Sequence, residues 1–485
     1  MKVFLINPNS GVVEKNWAYK RFCAPIAPMG IGYMAAVLEK DGFEVRVVDQ
    51  FASKISVEAV IGLVRKERPR VVGFSALTPV VPDIKRMAAS IRECDNECVI
   101  VAGNIHATCF PEEMLSGGAA DVVVRGEGEM TMLELCRNIR DGKPLRGVKG
   151  ISYIEEGDVA HAPDRELIGD LDTLPFPAWH LFDIKNYADT PMVAVSKMPL
   201  FPVLASRGCP YRCYYCSQDK VYAEVRYRDH NCVLDEMEYF NRSLGVGYFG
   251  FSDAYFPHDE KTGIEFCRLL IKRGLHKRIR WCTETRVDKV SPELLACMKR
   301  AGAQLIMYGI EVGNAGILQS LDKGTTLEEA RRAVEYTRKA GILTFGLFMI
   351  GLPGETRETC RETLRFAQSL NTDIAKFNIA VPYPGSRFFE EYGRELARRY
   401  PERFTSWADW SHSRGELVFS PLAMNSRQLR RFQREAMVKF YIRPGVIFRN
   451  LIKGTVTIPN LFFGGVWVIF LFLSGVFGRA KKESL

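Results

Sequence analysis

In the 485-residue sequence no second paired Cys or His motif closely follows the cysteine group at 209–216. It also has no secretory-type start. Met1-Lys-Val-Phe-Leu-Ile-Asn-Pro reads as a strand followed by a turn, not as a charged and then apolar leader. Its thirteen cysteines are scattered through a long chain, which argues against a disulfide framework and for a reducing cytoplasmic setting. Cys23, Cys94, Cys98, Cys109, Cys136, Cys232, Cys267, Cys282, Cys297 and Cys360 form no ligand-spaced set and read mostly as small hydrophobes, with Cys282 on a predicted strand. Net charge is scarce outside one window. Of the overall +9, most lies between Arg427 and Lys453, where eight Lys or Arg face one acid, Glu435. That argues for a single basic surface and against general nucleic-acid affinity. The length admits two or three domains.

What the sequence does have is Cys209-Pro-Tyr-Arg-Cys213-Tyr-Tyr-Cys216, just after the apolar run Phe201-Pro-Val-Leu-Ala. Soft thiolates are the usual protein ligands of iron–sulfur clusters. Three of them can hold three irons of a [4Fe–4S] cube and leave the fourth open. A zinc site or three structural thiols are the alternatives. Zinc wants a fourth ligand nearby, and the nearest candidates, His230 and Cys232, lack that spacing.

The triad resembles the signature of radical S-adenosylmethionine (SAM) enzymes. The resemblance implies that Cys209, Cys213 and Cys216 ligate the cluster and that its open iron chelates SAM. It further implies that one electron, from a donor such as flavodoxin or ferredoxin, cleaves SAM to methionine and a 5′-deoxyadenosyl radical. Tyr215 matches the aromatic position whose backbone contacts adenine. The family's cluster loop follows the first strand of a partial (β/α)6 barrel, and the run before Cys209 suits that strand.

Residues 1–140 alternate strands and helices. Lys2–Asn7, Glu44–Asp49, Val71–Ser75, Val99–Ala102 and Val122–Val124 read as strands, with helices over Met29–Asp41, Val57–Glu67, Asp83–Glu93 and Glu129–Asp141. This alternation predicts a parallel sheet covered on both faces, with ligands at its carboxyl ends. The half resembles the Rossmann-like cobalamin (B12)-binding domain found ahead of many radical SAM cores. The match rests on the Asn-Pro after strand one, Gly73-Phe74-Ser75, Ala102-Gly103-Asn104-Ile105-His106 and Gly126-Glu127-Gly128-Glu129. It implies cobalamin contacts from Asn7, Ser75, Gly103, Asn104, His106 and Glu127. One departure is the absence of D-x-H-x-x-G, the motif that supplies a histidine to cobalt, so cobalamin is expected without that ligand. The bland alternative is a scaffold that has lost cobalamin.

Residues 141–198 read as a connector with a small hairpin near Gly150–Ile154 and the Pro-rich, aromatic stretch Leu174-Pro-Phe-Pro-Ala-Trp-His. From 199 to 390 six strand–helix repeats fit the partial barrel. The strand candidates are Val203–Ser206, Tyr248–Ser252, Arg280–Thr285, Gln304–Ile310, Thr344–Ile350 and Ile374–Ala380. The resemblance places SAM contacts at the strand ends: Asp253, Glu311 in Gly309-Ile-Glu-Val-Gly, and Gly351 and Glu355 in a glycine-rich motif near adenine. Glu284 and Arg286 end the third strand without an assigned role. Each carboxylate could equally be a rim salt bridge. Tyr383, in a turn after strand six, is placed on the substrate side or in packing.

Residues 391–457 read as helical and increasingly basic, interrupted by Trp407 and Trp410. In the tail, 458–485, Leu461 to Phe477 carries no charge and sits at the lower length limit for a spanning helix. With a basic amphipathic segment, Lys439–Lys453, before it, the expectation is a spanning or interfacial membrane contact. A hydrophobic dimer interface is the alternative.

The sequence therefore reads as an α/β enzyme resembling the class of cobalamin-dependent methylases and the anaerobic magnesium-protoporphyrin ester cyclase. Methylation of a hydrophobic, even lipid, substrate is the first expectation, and oxidative cyclisation or carbon–carbon bond formation the second. A non-catalytic cobalamin or Fe–S sensor is the alternative of another class. A methylthiotransferase acting on transfer RNA would usually carry extra N-terminal cluster cysteines and an RNA-binding domain, and neither is evident.

Overall fold

The computed structural model describes residues 1–9, 25–187, 199–399 and 417–453. Short Val- and Ile-rich runs form the strands. The helices between them start at residues whose side chains accept a backbone N–H of the first turn: Ser56, Asp229, Asp259, Ser291, Thr326 and Thr356. Two main sheets result, one mixed and one parallel.

The first sheet contains β1 (Lys2–Asn7), β2 (Glu44–Asp49), β3 (Val71–Ser75), β4 (Val99–Gly103), β5 (Val122–Val124), β6 (Ile151–Glu155) and β7 (Asp158–His161). Its order is β2-β1-β3-β4-β5-β6-β7. The strands are parallel through β5, and β6 and β7 are antiparallel. The hairpin in the connector thus continues the N-terminal sheet. From β1 the chain runs first to β2 on one side and then across to β3 on the other, which opens a crevice at their carboxyl ends.

The second sheet has six parallel strands, β8 (Leu200–Val203), β11 (Tyr248–Phe251), β12 (Arg280–Thr285), β13 (Ala303–Glu311), β14 (Leu343–Ile350) and β15 (Ile374–Ile379). The edge strands β8 and β15 do not pair, so the barrel is open. A small ribbon, β9 (Ser206–Arg207) with β10 (Arg226–Tyr227), brackets the cysteine loop. Side chains alternate across these strands. Trp281, Ile306, Tyr308, Phe348 and Phe377 pack outward under the helices. Tyr248, Cys282, Leu305 and Ile374 form a separate apolar cluster inside.

The connector locks the two sheets together. Trp179 is fully buried, lies edge-on to Phe201 of β8 at 5.4 Å, and occupies the space a Cβ at Gly32 would need. Of two C-terminal helices, Ser426–Tyr441 lies on β15, where the Tyr441 hydroxyl bonds the backbone N–H and C=O of Ala375, and Pro444–Ile452 is tied to Asn371–Asp373 just before that strand. Arg449 and Lys453 both pair with Asp373, and Lys439 pairs with Glu435. The basic stretch is therefore partly a fastening to the barrel and not wholly a free surface. Among the described residues no helix is long and apolar enough to cross a membrane. Leu461–Phe477, Trp407 and Trp410 lie outside the described residues.

Candidate active site

The cysteine loop leaves β9 through Gly208, whose φ is +95° and where a Cβ would collide with the Glu224 carbonyl, so only glycine fits. Tyr214 N–H bonds the Leu321 carbonyl at 2.9 Å and Phe388 N–H bonds the Tyr214 carbonyl at 3.0 Å, which pins the loop across the barrel mouth. Cys209, Cys213 and Cys216 are half-buried and free, and each thiol feels the charge of another member. Burial pushes all three thiols up, while Arg286 and Lys323 pull Cys209 and Cys213 back down. The Arg286 guanidinium sits 3.5 Å from the centre of the Tyr211 ring inside the loop. Among the described residues no three ligating side chains converge on one metal ion. Three thiols in one loop with cationic surroundings suit an iron–sulfur cluster.

Glu311 ends β13 at a shift of register with φ +68°, a conformation unusual for a side chain of its size. The Tyr215 hydroxyl donates to it at 2.7 Å and Lys323 holds the same oxygen. The structure thus brings Tyr215 and Glu311 together beside the cysteines. Asp253 behaves differently. Its carboxylate is buried and accepts from Ala205 N–H at 3.1 Å and Ser206 O–H at 2.7 Å. Geometrically it ties β11 to the entry of the cysteine loop, a use other than the SAM contact expected of it. Glu355 is also turned inward. It accepts from Gly351 and Leu352 N–H, and burial raises its carboxyl to about 7. Gly351 has φ +86°, and the space its Cβ would fill is taken by Leu429 of the C-terminal helix. The close approach the glycine permits is therefore made by a leucine.

At the crevice of the first sheet lies a cavity of about 380 Å³. Asn7, Ser75, Gly103, Asn104 and Glu127 line it, over an apolar floor that includes Leu5, Val101, Val124 and Met132. Asn104 donates to Ser75 Oγ at 3.0 Å, and Asn7 donates to Asp49 at 3.0 Å. An apolar floor with amide and hydroxyl groups at its edge suits a flat macrocycle. His106 does not line this cavity. It is buried behind it, 3.2 Å from Thr78 Oγ1 and against the Phe110 ring, and burial pushes it down to about 3, so it is neutral. The sequence pattern put it in the ligand turn, but the short helix Ile105–Cys109 turns its ring into the core.

Two features escaped sequence reading. Tyr222, six residues past Cys216, lines the cavity of the first sheet. Behind it lies a buried ion network. Arg207 donates to Glu127 at 2.9 Å and to Glu129 at 2.6 Å, and Arg226 donates to both oxygens of Glu127. Burial alone would raise the Glu127 carboxyl, but Arg226, Ile168 N–H and Arg207 hold it below its usual range. The acids were visible in Gly-Glu-Gly-Glu, but their partners lie about 80 to 100 residues away.

A crevice sheet is thus fastened to an open barrel that carries three free cysteines at its mouth. Residues 23–136 match the B12 binding domain and residues 203–367 match the radical SAM superfamily. An uncharacterized methyltransferase of Pyrococcus horikoshii is 30% identical over 458 residues, covering 93% of this chain and 95% of that protein. The anaerobic magnesium-protoporphyrin IX monomethyl ester cyclase of Rubrivivax gelatinosus is 33% identical, over 82% of this chain and 71% of the cyclase. The structure of the radical SAM methyltransferase TsrM of Kitasatospora setae, with cobalamin and a [4Fe–4S] cluster bound, shares the fold. Its TM-score is 0.71 at 20% identity, over 92% of this chain and 89% of that one. The chain belongs to the radical SAM enzymes that carry a B12-binding domain. It is an enzyme, and the reading as a non-catalytic sensor falls. The two matched domains are those of cobalamin and of SAM.

Proposed function

We propose that this enzyme methylates an unactivated carbon of an organic substrate held in the barrel lumen. The observation that carries this reading is the shared wall between the two sites. Tyr222, just past the cysteine loop, lines the cavity of the first sheet, and Arg207, just before that loop, grips Glu127 in the same cavity. Bound, the cluster with SAM supplies a 5′-deoxyadenosyl radical, and cobalamin supplies a methyl group. Cys209, Cys213 and Cys216 would hold the cluster. Arg286 and Lys323 offset its charge. Tyr215 and Lys323 orient Glu311 toward SAM. Glu355 holds the Gly351 turn, and Asp253 fixes the loop entry. Asn7, Ser75, Gly103 and Asn104 would edge the corrin. Exposed Arg212, Lys220 and Arg387 around the loop suit an acidic electron donor such as flavodoxin or ferredoxin. A reducing, cytoplasmic setting suits the free cysteines.

The test is anaerobic turnover of the reconstituted enzyme with SAM bearing a deuterated methyl group and candidate extracts, lipid extracts included, read by mass spectrometry. A product heavier by the labelled methyl supports the reading. Oxidative cyclisation is the second reading, favoured by the likeness to the cyclase. It predicts loss of hydrogen from the substrate and no label.

The cavity predicts the cobalt environment. Electron paramagnetic resonance of the Co(II) form should lack superhyperfine splitting from a protein imidazole. Splitting that vanishes in His106→Ala would contradict this.

The tail, Leu461–Phe477, would contact a membrane surface or an apolar substrate source. Ile442, Phe448 and Ile452, 54%, 67% and 70% exposed, support this as apolar surface on the helices that precede it in the chain. Burying one large apolar side chain stabilises by about 1.5–3 kcal/mol. The full chain is therefore expected to sediment with membranes. A chain ending after Thr455 keeps the Arg449–Asp373 and Lys453–Asp373 pairs and should stay in the supernatant with its cluster. Full-length protein found there, monomeric and detergent-free, would rule the membrane reading out.

A further inference from the structure

Two charged residues stand inside the barrel without a partner. Glu284 of β12 and Lys376 of β15 each lie two residues beyond an inward-facing member of the apolar floor, Cys282 and Ile374. Strand alternation therefore aims both into the lumen. Both are open to water while the residues on either side of them in the strand are buried. Protein surrounds the Glu284 carboxyl nonetheless. Burial raises it above its usual range, the Glu311 charge raises it further, and Lys323 and Lys376 pull it down. Glu284, Lys376 and the Glu311–Lys323 pair thus share one electrostatic neighbourhood beneath the cysteine loop.

Three other carboxylates of this barrel are held by neighbours. Glu311 is held by Lys323 and Tyr215, Asp253 by Ala205 and Ser206, and Asp373 by Arg449 and Lys453. Glu284 and Lys376 have no ion-pair partner among the described residues, not even each other. The Glu284 carboxyl, which protein surrounds and no cation contacts, is costly to ionise unless a ligand completes it. Below them the floor, with Leu305, Met307, Phe345 and Ile374, is apolar apart from the buried Tyr248 hydroxyl.

We propose that Lys376 and Glu284 are substrate-recognition residues, and that the substrate has an apolar body carrying an anionic oxygen group for Lys376 and an N–H or ammonium donor for Glu284. This rests on reading the lumen as the substrate site. It narrows the hydrophobic substrate of the sequence reading to an amphipathic acid. A carboxylate and a phosphate share the chemistry that Lys376 selects.

The test uses four probes of equal chain length, hexanoate, 6-aminohexanoate, hexylamine and hexanol, titrated calorimetrically into anaerobic holoenzyme at fixed salt. Hexyl phosphate in place of hexanoate separates the two anion sources. Hexanoate and 6-aminohexanoate should bind more tightly than hexanol. Lys376→Met should remove the carboxylate advantage by about tenfold, the effect expected for loss of one charge-assisted hydrogen bond. Glu284→Gln should likewise remove the advantage of the amine. Hexanol affinity, kept in both variants, controls for the fold and the lumen. Charged probes that bind no better than hexanol, or a ranking that neither variant changes, overturns the proposal. The underlying reading has its own readout, release of 5′-deoxyadenosine from SAM by the wild-type holoenzyme, so the two can fail separately.

Discussion

Replacing Cys209, Cys213 or Cys216 with alanine is expected to abolish both the visible absorption of the cluster and all cleavage of SAM. Three thiolates serve three irons, and the loop holds no spare: its other side chains are Pro210, Tyr211, Arg212, Tyr214 and Tyr215. The thiol inside the lumen, Cys282, is no substitute, because it lies on the apolar floor and burial raises it to about 11. Metal binding needs the thiolate. Cys297→Ala, on the helix Pro292–Arg300 outside the barrel, should leave both properties near wild type. Iron content, absorption and chromatography of 5′-deoxyadenosine after dithionite reduction measure the outcome. A triple alanine variant that still cleaves SAM would refute the assignment of the cluster.

The second large effect concerns the ion network between the domains. In Arg207→Met, Glu127 keeps Arg226 but Glu129 loses its guanidinium partner while still buried. Breaking one side of a buried pair costs about 3–5 kcal/mol, because a charge is left unpaired. Adding Glu129→Gln should recover part of that loss, and the double-mutant cycle reads the coupling. Denaturant unfolding measures it, and a loss below about 1 kcal/mol in Arg207→Met would show that the network is solvated and weak. The network is also pH-dependent. The Glu127 carboxyl is held below its usual value in the folded protein. Its contribution is therefore present in full above the unfolded carboxyl range of about 4.3 and is lost as pH falls through the lowered folded value. Since Arg207 stands two residues before Cys209 and Glu127 lines the cavity, loosening this pair should also disturb the spacing of the two cofactors.

Much of the fold was legible because its signals are local. The strand of Lys2–Asn7 and the helix of Val57–Glu67 agree with the sequence pattern to the residue, since strand runs and helix caps lie within a few positions of one another. The hairpin at Ile151–His161 was legible as a hairpin but not as the edge of the first sheet, because pairing with β5 is a contact between segments separated by the helix Glu129–Arg140. The candidate site divides the same way. The spacing of Cys209, Cys213 and Cys216 and the turns holding Asn7, Ser75 and Asn104 are sequence-local, and the structure places each at the mouth or crevice expected. The directions of side chains were not legible. His106 and Asn104 are two residues apart, yet one ring turns into the core while the amide edges the cavity, and Asp253 and Glu355 accept backbone N–H groups and do not face out. Arg207, Arg226, Glu284 and Lys376 carry no motif. What the sequence by itself determined was the class of enzyme, because metal-ligand spacing and strand–helix period are written in consecutive residues. Only the tertiary structure decided which charges face one another and which face the lumen, because those relations join residues that the chain keeps far apart.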